Sequence, residues 1–519
     1  MVTRTSAATA KTATGPVKKL SPKATLKKAA QPVNAVKPVD AFNAVKPIKP
    51  IQVPKSTPGS APKSTAKSAP IKSCRTTGKK PAKTPSAAAR SRPDGLEQLE
   101  RLNRKYDVVL YGASGFVGKQ TVAYFAQLAQ LKNPDGKPLR WALAGRSADK
   151  LEAVKAACGA GAKNADILVA DARDAAALEQ LAQHARVVLS TAGPFALYGS
   201  ALVAVCVKHG THYVDITGET PWVHSLIAEH HDRAAASGTR IIPFCGFDSV
   251  PSDLGTWLIA QAMQARHGEP CKRVKACFSL QGGVNGGTLA SALNFMGPKH
   301  ARMMADPFLL NGGTDAARAV RSIAAHLDPT GPSFDVDFKA WLGPFFMGPI
   351  NTRVVRRSAE LLTPVHGKPL GYAEDFYYQE YFRFGSGPLA AAAATAFSAG
   401  MRASQFAMTS ATLRNLAGKL VPGPGTGPSE GSMNRGSFRC ELVGKSASGH
   451  MVRGRIADRG DPGNRGTTKM VCEAALCLAL ELDTLPGGRA KGGLLTPASG
   501  LGDALVARLR AAGMTLVVD

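Results

Sequence analysis

The chain has 519 residues, 44% of them hydrophobic, which is enough to bury a large core in two or three domains. Its formal net charge of +28 is concentrated at the start, because residues 1–92 contain 20 Lys or Arg and a single acid, Asp40. The nine cysteines include no C-x-x-C pair, which argues against a disulfide framework or a zinc site. No run of about 18 strongly apolar residues is present, which argues against a membrane-spanning helix.

The composition of residues 1–102, rich in Lys, Ala, Pro, Ser and Thr, predicts a disordered basic tail. Such a tail can contact nucleic acid, an anionic membrane surface or acidic proteins through nonspecific electrostatics, or it can serve only to keep the chain soluble. The chain starts without an apolar signal-peptide region, so the expected location is cytoplasmic, with or without membrane association. A basic, acid-free start is also compatible with an organelle transit peptide.

The most informative stretch is Tyr106–Lys119, YDVVLYGASGFVGK. Its apolar residues predict a buried strand, and Gln120–Leu128 has the pattern of a helix. The turn between them fits a pyrophosphate, because glycine lets the backbone approach closely and a helix start offers N–H groups. The G-x-x-G-x-x-G spacing is weaker evidence than G-x-G-x-x-G, so a turn without a ligand remains an alternative. The predicted coenzyme contacts in this turn are Gly112, Ala113, Ser114, Gly115, Phe116, Val117 and Gly118.

A second apolar run, Trp141–Ala144, ends at Gly145, Arg146 and Ser147. This is where an NAD-specific fold usually places an acid for the ribose hydroxyls. A guanidinium and a hydroxyl suit a 2′-phosphate instead, so Arg146 and Ser147 predict NADP(H) as the coenzyme. The alternative is an ordinary surface arginine at a strand end.

Strand and helix patterns alternate between residues 103 and 265, which predicts a Rossmann-type, doubly wound parallel sheet. The predicted strands are Asp107–Tyr111, Arg140–Ala144, Asp166–Ala170, Val187–Ser190, His212–Ile216 and Arg240–Pro243. The predicted helices after the first are Lys150–Ala157, Ala175–Gln183, Ser200–His209, Trp222–Ser237 and Ser252–Met263, with Ser252 as an N-cap.

Ligands of such sheets bind at the carboxyl ends of the strands. Asp171, after the third strand, is expected either to contact adenine or to cap the next helix. The fourth strand is followed by a small-residue loop that lets ribose and nicotinamide lie close to the backbone: Thr191, Ala192, Gly193, Pro194 and Phe195. The loop after the sixth strand places Asp248 and Ser249 at the rim of the same site.

In this order, the motifs GASGFVG, AGRS, STAGPFALYG, YVDITGE and GFDSVPSDLG resemble the saccharopine dehydrogenase-like NADP-binding family. The segments GGVNGGTLAS, GPGTGPSEGS and GDPGNRGTTKM, and the one at Gly492–Met514, resemble its trans-acting enoyl reductase branch. The resemblance runs from about Tyr106 to the C-terminus. It implies an NADPH-dependent oxidoreductase of lipid metabolism that acts with a polyketide synthase or carrier protein and saturates a C=C bond of an acyl or polyketide thioester.

Such a reduction needs a hydride for the β-carbon, a polarised carbonyl and a proton for the α-carbon. Tyr198 is a candidate proton donor, and Asp248 and Ser249 are candidates for orienting the substrate. Each has a structural alternative, since Tyr198 can simply pack and Asp248 can brace its loop. Tyr198 is followed four positions on by Leu202, so the Tyr-x-x-x-Lys pair of short-chain dehydrogenases is missing here.

A second α+β domain with a mixed or antiparallel sheet is expected at 266–465, with 466–519 packing back on the nucleotide domain. The predicted strands are Arg273–Leu280, Phe334–Lys339, Phe438–Gly444, Val452–Ala457 and Thr515–Val518. The predicted helices are Thr288–Leu293, Thr467–Leu482, Leu501–Ala512 and the alanine-rich Leu389–Ala399, which is either a packed helix or a weak membrane contact. Gly282–Thr288 is either a closing loop or a connection, and Asp375–Phe384 lines a substrate channel or belongs to a core or an interface.

Two other functional classes remain open at this level. One is a C–N oxidoreductase acting on an amino-acid-derived substrate, whose carboxylates would need arginines such as Arg353, Arg356 and Arg357. The other is a non-catalytic NADPH-binding sensor or scaffold held to its partner by the tail. A homodimer is compatible with either. The residues offer no metal site.

Overall fold

A computed structural model describes residues 101–128, 131–282, 298–312, 323–363, 371–407 and 426–519, with Leu102 excepted, and isolated positions between 410 and 419. Residues 1–100 and Leu102 of the predicted basic tail, most of the Gly282–Thr288 loop and the Thr288–Leu293 helix therefore lie outside the described residues, whereas Arg101 is described and donates to the Ser237 carbonyl at 2.8 Å. Among the described residues, no helix is long and apolar enough to cross a bilayer.

Strands and helices alternate through the first half of the described chain. The strands are β1 (Tyr106–Tyr111), β2 (Trp141–Gly145), β3 (Asp166–Val169), β4 (Ala185–Ser190), β5 (His212–Asp215) and β6 (Arg240–Ile242). The helices are α1 (Phe116–Gln127), α2 (Ala148–Ala157), α3 (Ala175–His184), α4 (Phe195–Tyr198), α5 (Ser200–His209), α6 (Thr220–Ala236) and α7 (Val250–His267).

The second half is less regular. Its strands are β7 (Cys271–Gln281), β8 (Ser333–Asp335), β9 (Ala340–Pro344), β10 (Tyr372–Gly385), β11 (Ser437–Ser446), β12 (Met451–Arg459), β13 (Gly493–Leu494) and β14 (Thr515–Val518). Its helices are α8 (Pro298–Met304), α9 (Gly348–Leu362), α10 (Pro388–Ala407), α11 (Glu430–Arg435), α12 (Thr467–Leu480) and α13 (Pro497–Ala511).

The first sheet is a seven-stranded parallel sheet in the order β13-β6-β5-β4-β1-β2-β3. All six residues of β1 are buried, as expected of a central strand covered by helices on both faces. The order reverses at β1, so the carboxyl ends of β1 and β4 define the crevice in which doubly wound folds bind ligands. The predicted Rossmann-type sheet is confirmed.

The second sheet also has seven strands, in the order β14-β12-β11-β7-β10-β9-β8. It is mixed, because β7 and β10 pair in parallel and the other described pairs are antiparallel. A continuous cluster of buried residues spans both sheets, from Val108 and Leu110 in the first to Phe278 and Leu442 in the second. The chain after residue 466 contributes to both sheets, with β13 pairing with β6 and β14 with β12. The domain boundaries remain a prediction.

Two predicted elements of the second half need comment. The predicted strand Phe334–Lys339 is correct only at Phe334 and Asp335, which belong to β8, because the chain then turns before β9 and Lys339 has a φ of +50°. The alanine-rich stretch is a helix, α10, that buries Ala390, Ala394 and Ser398. It packs on β10 through Phe397, whose ring lies 5.7 Å from that of Phe382.

Candidate coenzyme and active site

The turn after β1 has the geometry of a phosphate-binding loop. Gly112 has a φ of +82°, a left-handed conformation that favours glycine. A Cβ at Gly118 would lie 2.1 Å from the carbonyl oxygen of Gly112, so only glycine fits this position. Helix α1 begins at Phe116, four residues earlier than predicted, with Gly115 as an N-cap that makes no side-chain bond. The first turn of α1 contains no acidic residue that would repel an anion, so the backbone N–H groups at this helix start can bind one.

The ends of β2 and β3 carry the three side chains predicted near the adenosine half of the coenzyme. Arg146 is exposed and Ser147 is half-buried, directly after β2. Burial raises the pKa of Tyr111, at the end of β1, to about 12. The Asp171 carboxylate also raises this pKa and the Arg146 guanidinium lowers it, so Asp171 and Arg146 both lie close to the end of β1. Asp171 is not the cap of α3, because that role belongs to Asp174, whose carboxylate accepts the Ala177 N–H at 3.0 Å. The helix-cap alternative for Asp171 is therefore wrong.

The loop after β4 runs close to the glycine turn. Ala192 N would be 2.9 Å from a Cβ at Gly112, so the two backbones are in contact. The Thr191 hydroxyl donates to the carbonyl oxygens of Tyr111 and Gly112 at 3.3 and 3.2 Å. Gly193, which is exposed, and Pro194 are joined by a cis peptide bond, and Phe195 is buried. The predicted nicotinamide loop and pyrophosphate turn are thus adjacent.

The loop between β6 and α7 carries the carboxyl group of Asp248. In the described part of the chain, no hydrogen bond or ion pair reaches Asp248, which is half-buried. Its Oδ2 lies 3.4 Å from the position of a Cβ on Gly218, and Ile350 Cδ1 lies 3.2 Å from the same position. Burial raises the pKa of Asp248 to about 7. An acid with this pKa can hold a proton at neutral pH and give it up, which is the property of a general acid.

Ser249 is placed differently from its neighbour. It is fully buried, and its hydroxyl donates to Asn351 Oδ1 at 3.1 Å. The amide of Asn351 donates to Glu380 Oε1 at 2.8 Å, and Glu380 Oε2 accepts from Ser252 and Tyr378, both at 2.8 Å. Ser252 was predicted as the N-cap of α7, which is wrong: Ser249 occupies the N-cap position, and Ser252 lies one turn into the helix.

Tyr198 closes the short helix α4 and is half-buried. Its backbone N–H donates to the Pro194 carbonyl at 3.2 Å. Among the described residues, no hydrogen bond joins its hydroxyl to Asp248 or Ser249. The roles of Tyr198, Asp248 and Ser249 in catalysis remain predictions.

Two segments from the C-terminal part of the chain reach this site. The ring of Phe116, at the start of α1, lies 2.3 Å from the position of a Cβ on Gly427. Arg465 donates to the Gln120 side chain on α1 at 3.1 Å. The Phe247 N–H, beside Asp248, donates to Thr467 Oγ1 at 3.1 Å. Parts of the motifs GPGTGPSEGS and GDPGNRGTTKM therefore pack on the predicted coenzyme turn and on the loop that carries Asp248.

Sequence analysis missed two buried acids, Glu219 and Glu380. Glu219 ends the motif YVDITGE, and its carboxylate accepts the N–H groups of Phe195 and Ala196, each at 2.8 Å. Its place in that motif was an available signal. Glu380 lies among aromatic residues of β10, where no local pattern indicates a buried network.

A parallel sheet with a glycine turn at its reversal point, a basic residue after β2 and an open helix start define a dinucleotide-binding oxidoreductase fold. The family model of the saccharopine dehydrogenase NADP-binding domain matches residues 108–242. A Mycobacterium tuberculosis protein provisionally named a trans-acting enoyl reductase is 38% identical over 434 residues, covering 80% of this chain and 97% of its own. A trans-acting enoyl reductase of Mycobacterium leprae is 36% identical over 428 residues, with the same coverage.

A solved structure of saccharopine dehydrogenase from Saccharomyces cerevisiae is 14% identical, with a TM-score of 0.41, and the match covers 79% of this chain and 99% of the yeast chain. The chain belongs to the saccharopine dehydrogenase-like NADP-binding family, in its trans-acting enoyl reductase branch. It is an NADP(H)-dependent oxidoreductase.

Proposed function

We propose that this protein is a trans-acting enoyl reductase that uses NADPH to saturate a C=C bond of an acyl or polyketide thioester held by a polyketide synthase. The observation that carries the proposal is the similarity to enoyl reductases along 80% of the chain. NADPH, when bound, supplies the hydride for the β-carbon of the conjugated thioester. The protein must then bind the coenzyme, orient the substrate and provide a proton for the α-carbon.

Coenzyme binding is the part that the geometry supports most directly. The Gly112–Gly118 turn and the start of α1 would hold the pyrophosphate, because the turn excludes side chains and the helix start is uncapped. Arg146 and Ser147 would hold the 2′-phosphate, since both follow β2 and neither is fully buried. The loop Thr191–Phe195, in contact with the glycine turn, would border the ribose and nicotinamide.

For the proton, the structure favours Asp248 over Ser249. Asp248 is half-buried, unpartnered among the described residues, and has a pKa raised to about 7. Ser249 is fully buried and its hydroxyl donates a hydrogen bond to Asn351 Oδ1, so it would position the loop rather than contact the substrate. Tyr198 is half-buried and remains a second candidate donor.

A C–N oxidoreductase would need arginines to bind the carboxylates of its substrate, and the three candidate arginines have other partners. Arg353, Arg356 and Arg357 all lie on α9 and are at most 4% exposed. Arg353 donates to the carbonyls of Met304 and Asp306 and pairs with Asp328, and the other two donate to further backbone carbonyls. These guanidinium groups brace neighbouring segments of the fold, so they are not available to bind substrate carboxylates.

The test starts with calorimetric titration of the full chain with NADPH and then NADH. Strong preference for NADPH is expected. Turnover is then followed by loss of nicotinamide absorbance, with enoyl thioesters on a carrier protein compared with the imines of amino-acid adducts. Reduction of the thioesters alone supports the proposal, and reduction of the imines alone would overturn it. Replacing Asp248 by Asn, and separately Tyr198 by Phe, identifies the proton donor by which variant retains NADPH binding but loses turnover.

A further inference from the structure

A buried carboxylate ties the loop after β4 to the loop after β5. Glu219 is 3% exposed and lies just before α6. Its Oε1 accepts the Phe195 N–H and its Oε2 accepts the Ala196 N–H, both at 2.8 Å. Each carboxylate oxygen thus accepts one of two consecutive backbone N–H groups, directly after the Gly193–Pro194 peptide.

Glu219 is itself held firmly. Its N–H donates to Thr217 Oγ1 at 3.0 Å, and the Thr217 N–H donates to Asp215 Oδ1 at 3.0 Å. Charge-assisted bonds of this length are about twice as strong as neutral ones, and a buried carboxylate is tolerated only when such bonds satisfy it. The segment after β5 therefore holds the backbone of Phe195 and Ala196.

The first half of the same loop is fixed from another direction. The Thr191 hydroxyl bonds to the carbonyl oxygens of Tyr111 and Gly112, which fixes this end of the loop to the glycine turn. Gly193 lies between these two anchors and is exposed. A loop with both ends fixed and an exposed glycine between them offers a preorganised backbone surface to a flat ring.

We propose that Glu219 is a positioning residue for hydride transfer, which holds the Gly193–Phe195 loop where the nicotinamide of the bound coenzyme lies. The inference rests on the proposed function, because it takes this loop as the nicotinamide surface. It goes beyond that function because it proposes that Glu219, a residue outside the coenzyme turn, determines where the nicotinamide lies.

The fold contains its own reporter of this loop. The indole of Trp222, one turn after Glu219, stacks on the Phe195 ring with centroids 5.8 Å apart and an interplanar angle of 29°. Its Nε1 donates to Ser200 Oγ at 2.9 Å, at the start of α5. Displacement of Phe195 must therefore change the surroundings of Trp222 and its fluorescence.

The test compares Glu219→Gln with Glu229→Gln in the full chain. The amide introduced by Glu219→Gln keeps the side-chain shape but turns an N–H group towards one of the two backbone donors. Glu229 is a matched control, because it lies on α6 with a side chain 70% exposed. Trp222 emission is isolated by subtracting the spectrum of the Trp222→Phe counterpart of each protein.

The decisive measurement is the affinity for NADPH beside that for adenosine 2′,5′-bisphosphate, a fragment without nicotinamide. We expect Glu219→Gln to weaken NADPH about tenfold, leave the fragment unchanged and shift the Trp222 emission. Glu229→Gln should change none of these. Retained fragment binding also shows that the variant is folded.

Equal loss of both affinities would overturn the inference, because Glu219 would then stabilise the whole domain. Unchanged NADPH affinity with shifted emission would overturn it too, because the loop would move without affecting the nicotinamide. None of the three readouts uses an acyl substrate, so failure of the full chain to reduce thioesters would count against the proposed function and leave this test intact.

Discussion

At the scale of single residues, the coenzyme turn depends on a contact between two backbones. A Cβ at Gly118 would meet the Gly112 carbonyl oxygen at 2.1 Å and Ala113 at 2.9 Å, and backbone atoms cannot move aside as side chains do. Gly118→Ala should therefore destabilise the chain by about 1–3 kcal/mol, a typical cost of overpacking, and abolish NADPH binding. Chemical denaturation and calorimetry measure the two effects.

Gly400→Ala is the control for this substitution. Gly400 lies in α10, and a Cβ there would meet nothing within 4 Å. Alanine should raise the stability by about 0.5–1 kcal/mol, because glycine is costly inside a helix, and should leave NADPH affinity unchanged. If Gly118→Ala were as well tolerated as Gly400→Ala, the turn would not have the tight geometry described.

Arg146 tests coenzyme choice. Arg146→Asp exchanges a guanidinium for a carboxylate at the end of β2, which repels a 2′-phosphate and suits the free ribose hydroxyls of NADH. We expect NADPH affinity to fall at least about tenfold while NADH affinity holds or rises. Competition titrations with both coenzymes measure this. Unchanged NADPH affinity would mean that the 2′-phosphate binds elsewhere.

Sequence alone predicted the local geometry of the coenzyme turn, while the coenzyme contacts themselves stay predictions. Gly112 and Gly118 follow a strand directly and Arg146 follows the next strand, so spacing was sufficient to place these residues at the strand ends. It could not show that Ser249 would be buried, because the partner of its hydroxyl, Asn351, is 102 residues away. Glu219 illustrates the same limit, since the N–H groups it accepts are 24 and 23 residues upstream.

At the scale of elements, Glu380 joins β10 to two helices. It accepts hydrogen bonds from Ser252 on α7, Asn351 on α9 and Tyr378 on β10 itself. Burial is the main cause that raises the pKa of Glu380 from 4.5 to about 8. The Asp328 carboxylate also raises this pKa, and the three hydrogen bonds lower it. The folded chain therefore keeps a proton here that the unfolded chain releases.

This proton predicts a pH dependence of stability. Between pH 4.5 and about 8 the folded state holds more protons at Glu380, so the contribution of this group to the free energy of unfolding should fall as pH rises, by at most about 1.4 kcal/mol per pH unit. The contribution is complete below the unfolded pKa and lost once pH passes the folded one. Urea unfolding across this range measures the slope.

Glu380→Gln isolates the effect from the other buried acids. A neutral amide can accept from Asn351 through its oxygen and donate to the hydroxyl oxygens of Ser252 and Tyr378 through its nitrogen. The variant should match the wild type near pH 5 and exceed its stability near pH 8. A difference independent of pH would show that Glu380 does not change its ionisation on folding.

Helices and strands were predicted well where a local run of apolar residues marks them. The bounds of β1 to β6 differ from the predicted ones by at most two residues, whereas the two-residue strand β13 of the same sheet was not predicted. The predicted strand Phe334–Lys339 runs past the end of β8, because an alternating pattern cannot show the reversal there, where Asp335 accepts the N–H groups of Asp337 and Phe338. The start of α1 was placed late because glycines mask a helix that begins within the turn.

At the scale of the whole molecule, chain order indicated the first sheet better than the second. Alternating strands and helices imply parallel neighbours, whereas β7 pairs with β10 and β11, which begin about 100 and 166 residues further along the chain. Asp375–Phe384 illustrates the consequence. It forms most of β10, where Tyr378 and Glu380 are fully buried and Phe382 stacks on Phe397. Its role as a channel lining remains a prediction.

Charge is divided unevenly along the molecule, and this gives a final prediction. Residues 1–92 carry +19 of the net +28, and none of the predicted coenzyme contacts lies among them. Removing these residues should leave NADPH affinity unchanged and should lower the salt concentration that elutes the protein from an anionic heparin column. A chain of full length with every Lys and Arg of this segment replaced by Gln separates charge from length. If that neutral chain elutes like the wild type, the association arises from the remaining +9 carried by residues 93–519, and the segment does not act through its charge.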